Sequence, residues 1–312
     1  MEHYVTLFDS LFLPQGLALH ISMERHIKGD YTLWILCVDD DTHEALGKLK
    51  PPNVRLLQLS KLETEDLLRV KSMRSKAEYC WTLTPFAPRF VFETDSSVQR
   101  VTYLDADLWF RNHPKPIFEE LNESGKQVLI TDHGYAPEYD QSATSGQYCV
   151  QFMTFNRSEA EVVRKWWENR CIEWCYARFE EGKFGDQKYL DEFPLRFDSL
   201  VHILNDKELA LAPWNATRFP FGRSVFYHFH ALRILSNNKV SIGQYKLTSN
   251  VISNIYEPYF KDLRAAIRQL ESIRVAWRVQ SGDVFLIRKI YRKMSLLRQI
   301  FRLNLPSGTA KW

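Results

Sequence analysis

Short apolar runs separated by polar, helix-forming segments recur through most of the chain, and this alternation limits the fold more than any other feature. The opening predicts a strand in HYVTLFDSLF that ends at Asp9, a helix in LPQGLALHISMERHI and a second strand in YTLWILCVDDD. Further apolar runs follow in NVRLLQL, RVTYLDADLWF, QVLITDH and YCVQFMTF. This pattern is typical of an α/β protein with a mostly parallel sheet and helices on both faces.

The charge is unevenly distributed along the chain. From Lys261 to the end there are twelve Lys and Arg residues and three acidic residues, a net charge of +9 in a chain whose total is +3. With 45% hydrophobic residues, the chain is too apolar to be disordered as a whole. We therefore predict a main α/β domain over residues 1–258 and a basic helical extension over residues 259–312.

The extension contains a basic amphipathic segment, VFLIRKIYRKMSLLRQIFRL. Its apolar positions step by three and four residues and are Ile287, Ile290, Met294, Leu297 and Phe301. Such spacing predicts an amphipathic helix with a basic face. Three roles remain open for it: a cap on the main domain, a helix on an anionic membrane surface, or a coiled-coil pairing with another subunit.

The sequence also carries expectations about location. No stretch approaches the roughly 18 uninterrupted apolar residues of a membrane-spanning helix, and MEHYVTLFDS lacks the basic and apolar regions of a signal peptide. We expect a cytoplasmic protein, peripheral on the inner face of the cytoplasmic membrane if the basic helix binds lipid. Nucleic acid is not an expected partner, because the basic segment has no interleaved exposed aromatics.

Two carboxylates, Asp105 and Asp107, follow an apolar run that indicates a central strand. The pair is therefore expected at the carboxyl end of that strand, the edge where open α/β sheets bind ligands. Two neighbouring carboxylates are costly to desolvate unless a cation lies between them. The alternative is that both lie in an exposed surface turn without a ligand, where Arg111 reduces the repulsion between them. Oxygen ligands suit Mn²⁺ or Mg²⁺, and an imidazole favours Mn²⁺. We predict His228 as the third ligand, with His230 as its alternative.

These residues resemble a known family. Asp105, Ala106 and Asp107 resemble the DxD motif of GT-A fold glycosyltransferases, and TLFDSLF, FGDQKYLD, APWN and HFHALR resemble, in order, segments of glycosyltransferase family 8. That family includes glycogenin and bacterial lipopolysaccharide galactosyltransferases, and the motifs are most similar to those of bacterial surface-polysaccharide enzymes. The resemblance implies a GT-A catalytic domain over residues 1–258. It also implies metal-dependent transfer of a hexose from UDP-glucose or UDP-galactose to a lipopolysaccharide, surface-glycan or lipid-linked acceptor, with retention.

The resemblance also implies roles for individual residues. Those expected to bind the nucleotide sugar are Thr6, Leu7, Asp9, Ser10, Lys71, Arg74, Asp105, Ala106, Asp107 and Arg233. Those expected on the acceptor or sugar side are Asp132, Cys149, Gln151, Trp214 and Asn215. Asp186 and Gln187 are expected at the donor sugar and its anomeric carbon as catalytic residues, and Lys76 is an alternative source of positive charge to Lys71 and Arg74.

The chain departs from the family pattern at several of these positions. Cys149 stands where an asparagine is usual, Gln151 lies near a usual glycine, and Ala231 replaces the glycine after the metal-binding histidine. The usual lysine after that histidine is missing, which leaves Arg233 as the nearest cation to a departing diphosphate. The resemblance therefore does not define the sugar contacts of this segment.

Other functions remain open at this point. An inverting transferase would need a carboxylate base, and Asp132, Asp186 or Asp191 could serve. A catalytically inactive, membrane-associated scaffold of the same fold is a second alternative, and a phosphatase of the haloacid dehalogenase type is a third. In the retaining scheme the leaving diphosphate takes the proton of the acceptor hydroxyl, and Gln187, a weak nucleophile, stabilises the developing positive charge.

Overall fold

A computed structural model describes residues 1–219, 222–235, 239–275 and 277, together with the backbone of 300–302. Its strands are β1 (Glu2–Phe8), β2 (Tyr31–Cys37), β3 (Val54–Gln58), β4 (Arg100–Leu104), β5 (Leu108–Phe110), β6 (Val128–Asp132), β7 (Tyr148–Asn156), β8 (Val201–Ile203), β9 (Ala210–Leu211), β10 (Phe226–His228), β11 (Arg233–Leu235), β12 (Lys239–Ser241) and β13 (Ile300–Arg302). Its α-helices are α1 (Leu13–His26), α2 (Asp40–Leu49), α3 (Glu65–Lys71), α4 (Lys76–Leu83), α5 (Phe86–Thr94), α6 (Lys115–Ser124), α7 (Ser142–Ser145), α8 (Glu161–Glu173), α9 (Phe193–Arg196), α10 (Ser249–Val251) and α11 (Glu257–Ser272).

The central sheet has seven strands in the order β3-β2-β1-β4-β7-β6-β8. Strands β1, β2, β3 and β4 are parallel to one another, and β6 is parallel to β8. β7 runs antiparallel to both of its neighbours, β4 and β6. The predicted mostly parallel α/β sheet is therefore confirmed, and the run YCVQFMTF supplies its antiparallel member.

Helices cover both faces of this sheet, which explains why its strands are apolar on both sides. In β1, Tyr4 and Phe8 pack in the core formed with α1, α2, α6 and α11. The alternate residues Val5 and Leu7 pack in the core formed with α3, α4, α5 and α8. Successive side chains of a strand point to opposite faces, so β1 contributes to both cores.

Local sequence signals set the ends of several helices. The Asp39 side chain caps α2 by accepting from the Thr42 N–H, and Ser75 and Glu78 form a reciprocal capping box at the start of α4. α6 ends at Gly125, whose φ of 66° is the left-handed conformation that glycine adopts without strain. α2 follows β2 directly in the chain, and α4 begins at Lys76, whose Nζ lies 2.7 Å from Asp9 beyond the end of β1.

Two small sheets adjoin the central one. β10 pairs antiparallel with β5 and parallel with β9, and β12 pairs antiparallel with both β11 and β13. Since β4 is a central strand of the large sheet and β5 belongs to a small one, the turn between β4 and β5 lies where the two sheets meet.

The predicted extension begins inside a helix that packs on the main body. Ala266 and Leu270 of α11 are buried in the same core as α1, and Asp262 forms an ion pair with Arg25 of α1. The predicted boundary after residue 258 thus falls within α11. Most of the predicted basic amphipathic helix lies outside the described residues, and at its end residues 300–302 form strand β13, so the helix prediction is wrong there.

None of the helices in the described ranges is both long and apolar enough to cross a bilayer.

Candidate active site

The predicted carboxylate pair occupies the turn that connects β4 to β5. Leu104 ends β4 and Leu108 begins β5, and the Leu108 N–H closes the turn by donating to the Asp105 carbonyl at 3.2 Å. The Ala106 side chain is buried in the core, whereas the Asp105 and Asp107 side chains keep 20% and 13% of their surface exposed. The turn therefore presents two partly exposed carboxylates at the carboxyl end of a central strand.

His228 is brought to this turn by backbone pairing. β10 pairs with β5 in a register that places His228 opposite Leu108. The Phe229 N–H continues the pairing by donating to the Asp107 carbonyl at 2.9 Å. The register between β5 and β10 thus fixes the position of His228 beside Asp107, although the two residues are far apart in sequence.

The three side chains form a compact ligand cluster. His228 Nε2 lies 3.1 Å from Asp107 Oδ1 and 3.6 Å from Asp105 Oδ2. One ligand atom from each of Asp105, Asp107 and His228 lies within 4.8 Å of the other two. Two carboxylate oxygens and one imidazole nitrogen suit a divalent cation such as Mn²⁺ or Mg²⁺. The donor set therefore fits the metal that the resemblance implies.

The charges of the cluster are strongly coupled. Burial raises the pKa of the Asp105 carboxyl to about 6, and repulsion from Asp107 adds to the rise. Burial opposes ionisation of Asp107 too, but the neighbouring His228 ring lowers the pKa of that carboxyl. Burial likewise disfavours the His228 cation, yet the two carboxylates raise its pKa well above the usual value. The cluster thus attracts positive charge, as a cation site requires.

Gln151 is not available as a sugar contact, which corrects the prediction. Its side chain is completely buried, and its Oε1 lies 2.9 Å from His228 Nδ1. Its backbone carbonyl accepts from the Asp105 N–H at 3.0 Å. Gln151 therefore hydrogen-bonds to two members of the ligand cluster, His228 and Asp105, from the interior of the protein. The sequence offered only a weak signal for this role, a polar residue within the apolar run YCVQFMTF.

The APWN segment is also buried rather than exposed to an acceptor. Asn215 Nδ2 donates to the carbonyls of His133 and Ala210, and its Oδ1 accepts from the Ala212 N–H. Trp214 donates to the same His133 carbonyl and sets its ring against that of His228 in an edge-on contact, with centroids 5.3 Å apart. Both predicted acceptor residues therefore hold this loop together, and Trp214 packs behind the predicted metal ligand.

Cys149 is a further predicted acceptor residue that lies in the interior, beside Gln151, Trp214 and Asn215. Its side chain is 1% exposed and packs against Trp214. Burial raises the pKa of the Cys149 thiol, which keeps it protonated near neutral pH. Cys149 is thus a packing residue next to the cluster, and a direct contact with an acceptor does not fit its burial.

Asp186 and Gln187 lie on the loop that follows α8. The Trp167 indole donates to the Asp186 carbonyl at 2.8 Å and fixes the backbone there. Asp186 Oδ2 is buried and has no hydrogen-bond partner among the described residues. Burial raises the pKa of the Asp186 carboxyl to about 7, with a further contribution from the nearby Asp105 carboxylate. Gln187 donates through its amide nitrogen to the Ser145 carbonyl at 2.8 Å, and its amide oxygen can only accept.

Two other carboxylates considered as bases are paired with lysines. Asp132 Oδ2 lies 2.8 Å from Lys207 Nζ and also accepts from the Gln147 side chain. Asp191 Oδ2 lies 2.8 Å from Lys188 Nζ. Although burial opposes it, these partners lower the pKa of Asp132. A carboxylate stabilised in this way is a poor proton acceptor.

The loop after β1 is tied to the loop after β2. Thr6 and Leu7 are buried within β1, so of the four predicted contacts only Asp9 and Ser10 lie beyond the strand. Ser10 donates through its N–H and its hydroxyl to Asp39, which follows β2. Burial would raise the pKa of Asp39, but hydrogen bonds from Thr42 and Ser10 hold it below its usual value. Asp39 was not predicted, and the acidic end of YTLWILCVDDD was its signal.

Of the three cations considered for the nucleotide, Lys76 lies at these loops. Its Nζ is 2.7 Å from Asp9 Oδ2 and 3.2 Å from Asp39 Oδ2. Lys71 instead pairs with Glu63 at 2.7 Å. The Arg74 guanidinium is buried, where it donates to the Thr82 hydroxyl and the Ile172 carbonyl. The predictions for Lys71 and Arg74 are therefore corrected in favour of Lys76.

The remaining predicted residues surround the histidine. His230 is exposed, its Nδ1 lies 3.1 Å from the Tyr245 hydroxyl, and within the described ranges it does not belong to the ligand cluster. Arg233 is half-buried in β11, contributes to lowering the pKa of Asp107 and lies over the Phe12 ring. Arg233 is thus a cation near the ligand cluster, and its predicted contact with a departing diphosphate stays a prediction. Of the two histidines, His228 belongs to the cluster.

Ala231 adopts a backbone conformation that favours glycine, with φ of 63°. We expect Ala231→Gly to raise the free energy of unfolding by about 0.5–1 kcal/mol, because the left-handed conformation costs a Cβ-bearing residue more than glycine. Urea denaturation measures the difference. Gly243→Ala is the opposite change, since Gly243 has φ of 81° and an added Cβ would lie 3.0 Å from Ala231 Cβ. A destabilised Ala231→Gly variant would contradict this account of strain.

Two curated proteins are similar to this chain along most of its length. It is 32% identical over 290 residues to the uncharacterized protein YfnF of Bacillus subtilis (strain 168), covering 86% of this chain and 94% of YfnF. It is 27% identical over 290 residues to the uncharacterized protein YfnD of the same strain, covering 86% of this chain and 91% of YfnD. No family model matches the chain.

Solved structures with a similar fold are glycosyltransferases. Mouse xyloside xylosyltransferase 1 in its apo form aligns with a TM-score of 0.51 at 16% identity, over 74% of this chain and 98% of that one. GlyE of Streptococcus pneumoniae TIGR4 aligns with a TM-score of 0.51 at 14% identity, over 90% and 66%. The bifunctional glycosyltransferase WbbM aligns with a TM-score of 0.53 at 14% identity, over 86% and 50%. These similarities show that the chain has the GT-A fold.

Proposed function

Because the chain belongs to the same family as YfnF of Bacillus subtilis and has the GT-A fold, we propose that it is a metal-dependent glycosyltransferase. It moves a hexose from a nucleoside diphosphate sugar to a hydroxyl group of a glycan. The observation that carries this proposal is the convergence of Asp105, Asp107 and His228 at the carboxyl end of β4. When bound there, a divalent cation neutralises the diphosphate of the donor and so stabilises it as a leaving group.

The loops after β1 and β2 are the proposed binding place for the nucleoside. They follow neighbouring parallel strands and therefore lie at the same edge of the sheet as the ligand cluster. Asp9, Ser10, Asp39 and Lys76 supply charged and hydroxyl groups at this edge, already cross-linked to one another. Such pre-formed polar contacts can bind ribose and base with little reorganisation.

Asp186 and Gln187 are the proposed contacts of the donor sugar. Asp186 Oδ2, which has no partner among the described residues, can accept a hydrogen bond from a sugar hydroxyl, and the amide oxygen of Gln187 can stabilise positive charge at the anomeric carbon. Asp132 and Asp191, the other candidate bases, are engaged with lysines. This arrangement supports a retaining reaction, in which the leaving diphosphate takes the acceptor proton, over an inverting one.

The donor, the metal and the acceptor are proposed from the family resemblance and the ligand types, and the membrane association is proposed from the charge of the chain. The donor is UDP-glucose or UDP-galactose, the metal is Mn²⁺ rather than Mg²⁺ because one ligand is an imidazole, and the acceptor is a surface glycan or a lipid-linked glycan. The basic residues from Lys261 onward would hold the protein at an anionic membrane surface on the cytoplasmic side.

The proposal is tested by incubating the purified chain with Mn²⁺ and a panel of nucleotide sugars, and by measuring release of the nucleoside diphosphate. We expect release from a UDP-hexose that stops when EDTA is added. Proton NMR of the product then gives the anomeric configuration, which should equal that of the donor. Absence of release from every sugar nucleotide would contradict the transferase, and an inverted product would contradict the retaining scheme.

Asp186→Asn should reduce turnover while leaving binding of UDP and Mn²⁺ intact. Asparagine keeps the shape but removes the charge that the Asp186 carboxyl carries above its pKa of about 7, so the assay is run at an alkaline pH. A hydrogen bond to a charged group is worth about 1.5–3 kcal/mol, which corresponds to about 10- to 150-fold in rate. Steady-state kinetics and UDP titration measure the two effects. Asp198→Asn, at a carboxylate whose side chain is 88% exposed, is the control. Unchanged turnover in Asp186→Asn would remove this residue from the sugar site.

A further inference from the structure

A chain of hydrogen bonds leads from the interior of the sheet to His228. The backbone carbonyl at its interior end determines which group donates and which accepts in each bond. The Cys149 backbone carbonyl can only accept, and the Thr131 hydroxyl donates to it at 3.4 Å. A hydroxyl has one proton, so the Thr131 oxygen accepts from its next neighbour. That neighbour is the Gln151 side-chain nitrogen, 3.3 Å away. The Gln151 amide is thereby oriented with its nitrogen towards Thr131.

This orientation determines which nitrogen of His228 carries a proton. With its nitrogen committed to Thr131, Gln151 presents its oxygen to His228 Nδ1 at 2.9 Å. An amide oxygen only accepts, so Nδ1 must be protonated. In the neutral ring the other nitrogen, Nε2, then has a free lone pair. Nε2 is the atom that faces Asp107 at 3.1 Å and Asp105 at 3.6 Å.

We propose that Thr131 and Gln151 form a relay that holds His228 in the one neutral tautomer able to bind a metal ion through Nε2. They act as positioning residues, since they reach the ion only through the histidine. With Nδ1–H donating to Gln151 Oε1, the lone pair of Nε2 is the one that faces Asp105 and Asp107. The opposite amide orientation would place the proton on Nε2 and point it at the site.

The surroundings of the relay support a fixed direction. Thr131 and Gln151 are completely buried, so bulk solvent does not reach either of them. The Cys149 thiol also interacts with His228, but a thiol donates and accepts weakly and imposes no direction. The backbone carbonyl of Gln151 accepts from the Asp105 N–H at 3.0 Å, so the same residue supports a carboxylate ligand. Outer contacts of this kind orient metal-binding histidines and affect metal affinity.

The relay rests on the proposed function only in that His228 binds a metal ion. It does not depend on which sugar or acceptor the enzyme uses. The test therefore uses the full chain and Mn²⁺ alone, without a donor. Thr131→Val keeps the shape of the side chain and removes the hydroxyl, whereas Thr131→Ser keeps the hydroxyl. Gln151→Met removes the acceptor for Nδ1 at similar volume.

Mn²⁺ affinity is measured from the electron paramagnetic resonance signal of the free ion. We expect Thr131→Val and Gln151→Met to weaken binding by about 10- to 100-fold, and Thr131→Ser to bind close to the unchanged chain. The tautomer is measured separately, in long-range ¹H–¹⁵N spectra of metal-free protein labelled with ¹⁵N-histidine at a pH where the ring is neutral, because an ion bound at Nε2 would itself place the proton on Nδ1. His228 should be protonated on Nδ1 in the unchanged chain, and Thr131→Val should populate the form protonated on Nε2.

The results separate the relay from the proposed function. Wild-type Mn²⁺ affinity in Thr131→Val together with an unchanged His228 spectrum would overturn the relay. So would an Nε2-protonated His228 in the unchanged chain, a result that requires no variant to fold. If the unchanged chain binds no metal, the metal dependence of the proposed function fails. The tautomer, recorded without metal at a pH where the ring is neutral, still decides the relay.

Discussion

Asp107→Ala should reduce Mn²⁺-dependent release of the nucleoside diphosphate by about 1000-fold. Asp107 is one of three side chains in the ligand cluster, and its Oδ1 lies 3.1 Å from His228 Nε2. Without it, one carboxylate and one imidazole remain, too few to hold a hard cation firmly against a diphosphate. The charge stabilisation that a metal supplies to a leaving group is worth several kcal/mol, and about 4 kcal/mol corresponds to 1000-fold in rate.

The measurement is initial rate against Mn²⁺ concentration at a saturating concentration of the active nucleotide sugar. Asp198→Ala is the matched control, because it removes a carboxylate that is 88% exposed and should leave the rate unchanged. Circular dichroism shows whether both variants are folded. A folded Asp107→Ala variant that keeps Mn²⁺-stimulated turnover within tenfold of the unchanged chain would show that the ion acts elsewhere.

Asp262→Ala should lower the free energy of unfolding by about 3 kcal/mol. Asp262 lies in α11, is 6% exposed, and accepts hydrogen bonds from the Arg25 guanidinium and from the buried Trp109 indole at 2.7 Å. Removing the carboxylate leaves the indole N–H without its acceptor and Arg25 without its partner. The loss is at the lower end of the range for buried pairs, because the Arg25 side chain is 46% exposed and can be solvated.

Urea denaturation followed by tryptophan fluorescence measures this effect. Asp66→Ala is the control, since Asp66 pairs with Arg69 on the surface of α3 with both side chains more than half exposed, and such pairs contribute little. The comparison also tests whether α11 is part of the main domain. If α11 were a detachable extension, Asp262→Ala would leave the main unfolding transition where it is.

The parts of the fold that depend on local pattern could be predicted from the sequence. The apolar run ending at Leu104 indicated a central strand, and the edge rule for α/β sheets then put Asp105 and Asp107 at a ligand site. His228 could be proposed because it also ends an apolar run. What joins it to Asp107 is the pairing of β5 with β10, a contact between distant segments that no local pattern contains.

The partners of polar side chains could not be predicted in the same way. Arg74 and Lys71 are near Lys76 in sequence, but Arg74 is buried against Thr82 and Lys71 pairs with Glu63, so only Lys76 reaches the loop after β1. Gln151 and Asn215 resembled sugar contacts by position, yet both are buried and hydrogen-bonded within the protein. Whether a polar side chain faces a ligand or the interior depends on tertiary packing.

The predicted boundary after residue 258 falls inside α11 for a related reason. The change from acidic to basic composition begins near residue 261, but hydrophobic contacts, not charge, decide which segment belongs to a core. In α11 the buried residues Tyr259, Leu263, Ala266, Ile267 and Leu270 face the body, and the basic residues occupy other positions of the same helix. The change in charge therefore describes the surface of the protein. The packed main domain continues past residue 258 through α11.

Anomalous diffraction at the manganese edge, from crystals of the protein soaked with Mn²⁺ and UDP, tests the central claim most directly. We expect one strong peak at bonding distance from Asp105, Asp107 and His228 Nε2, with diphosphate oxygens beside it. A peak at another place in the molecule, or UDP bound with no manganese at these three side chains, would contradict it.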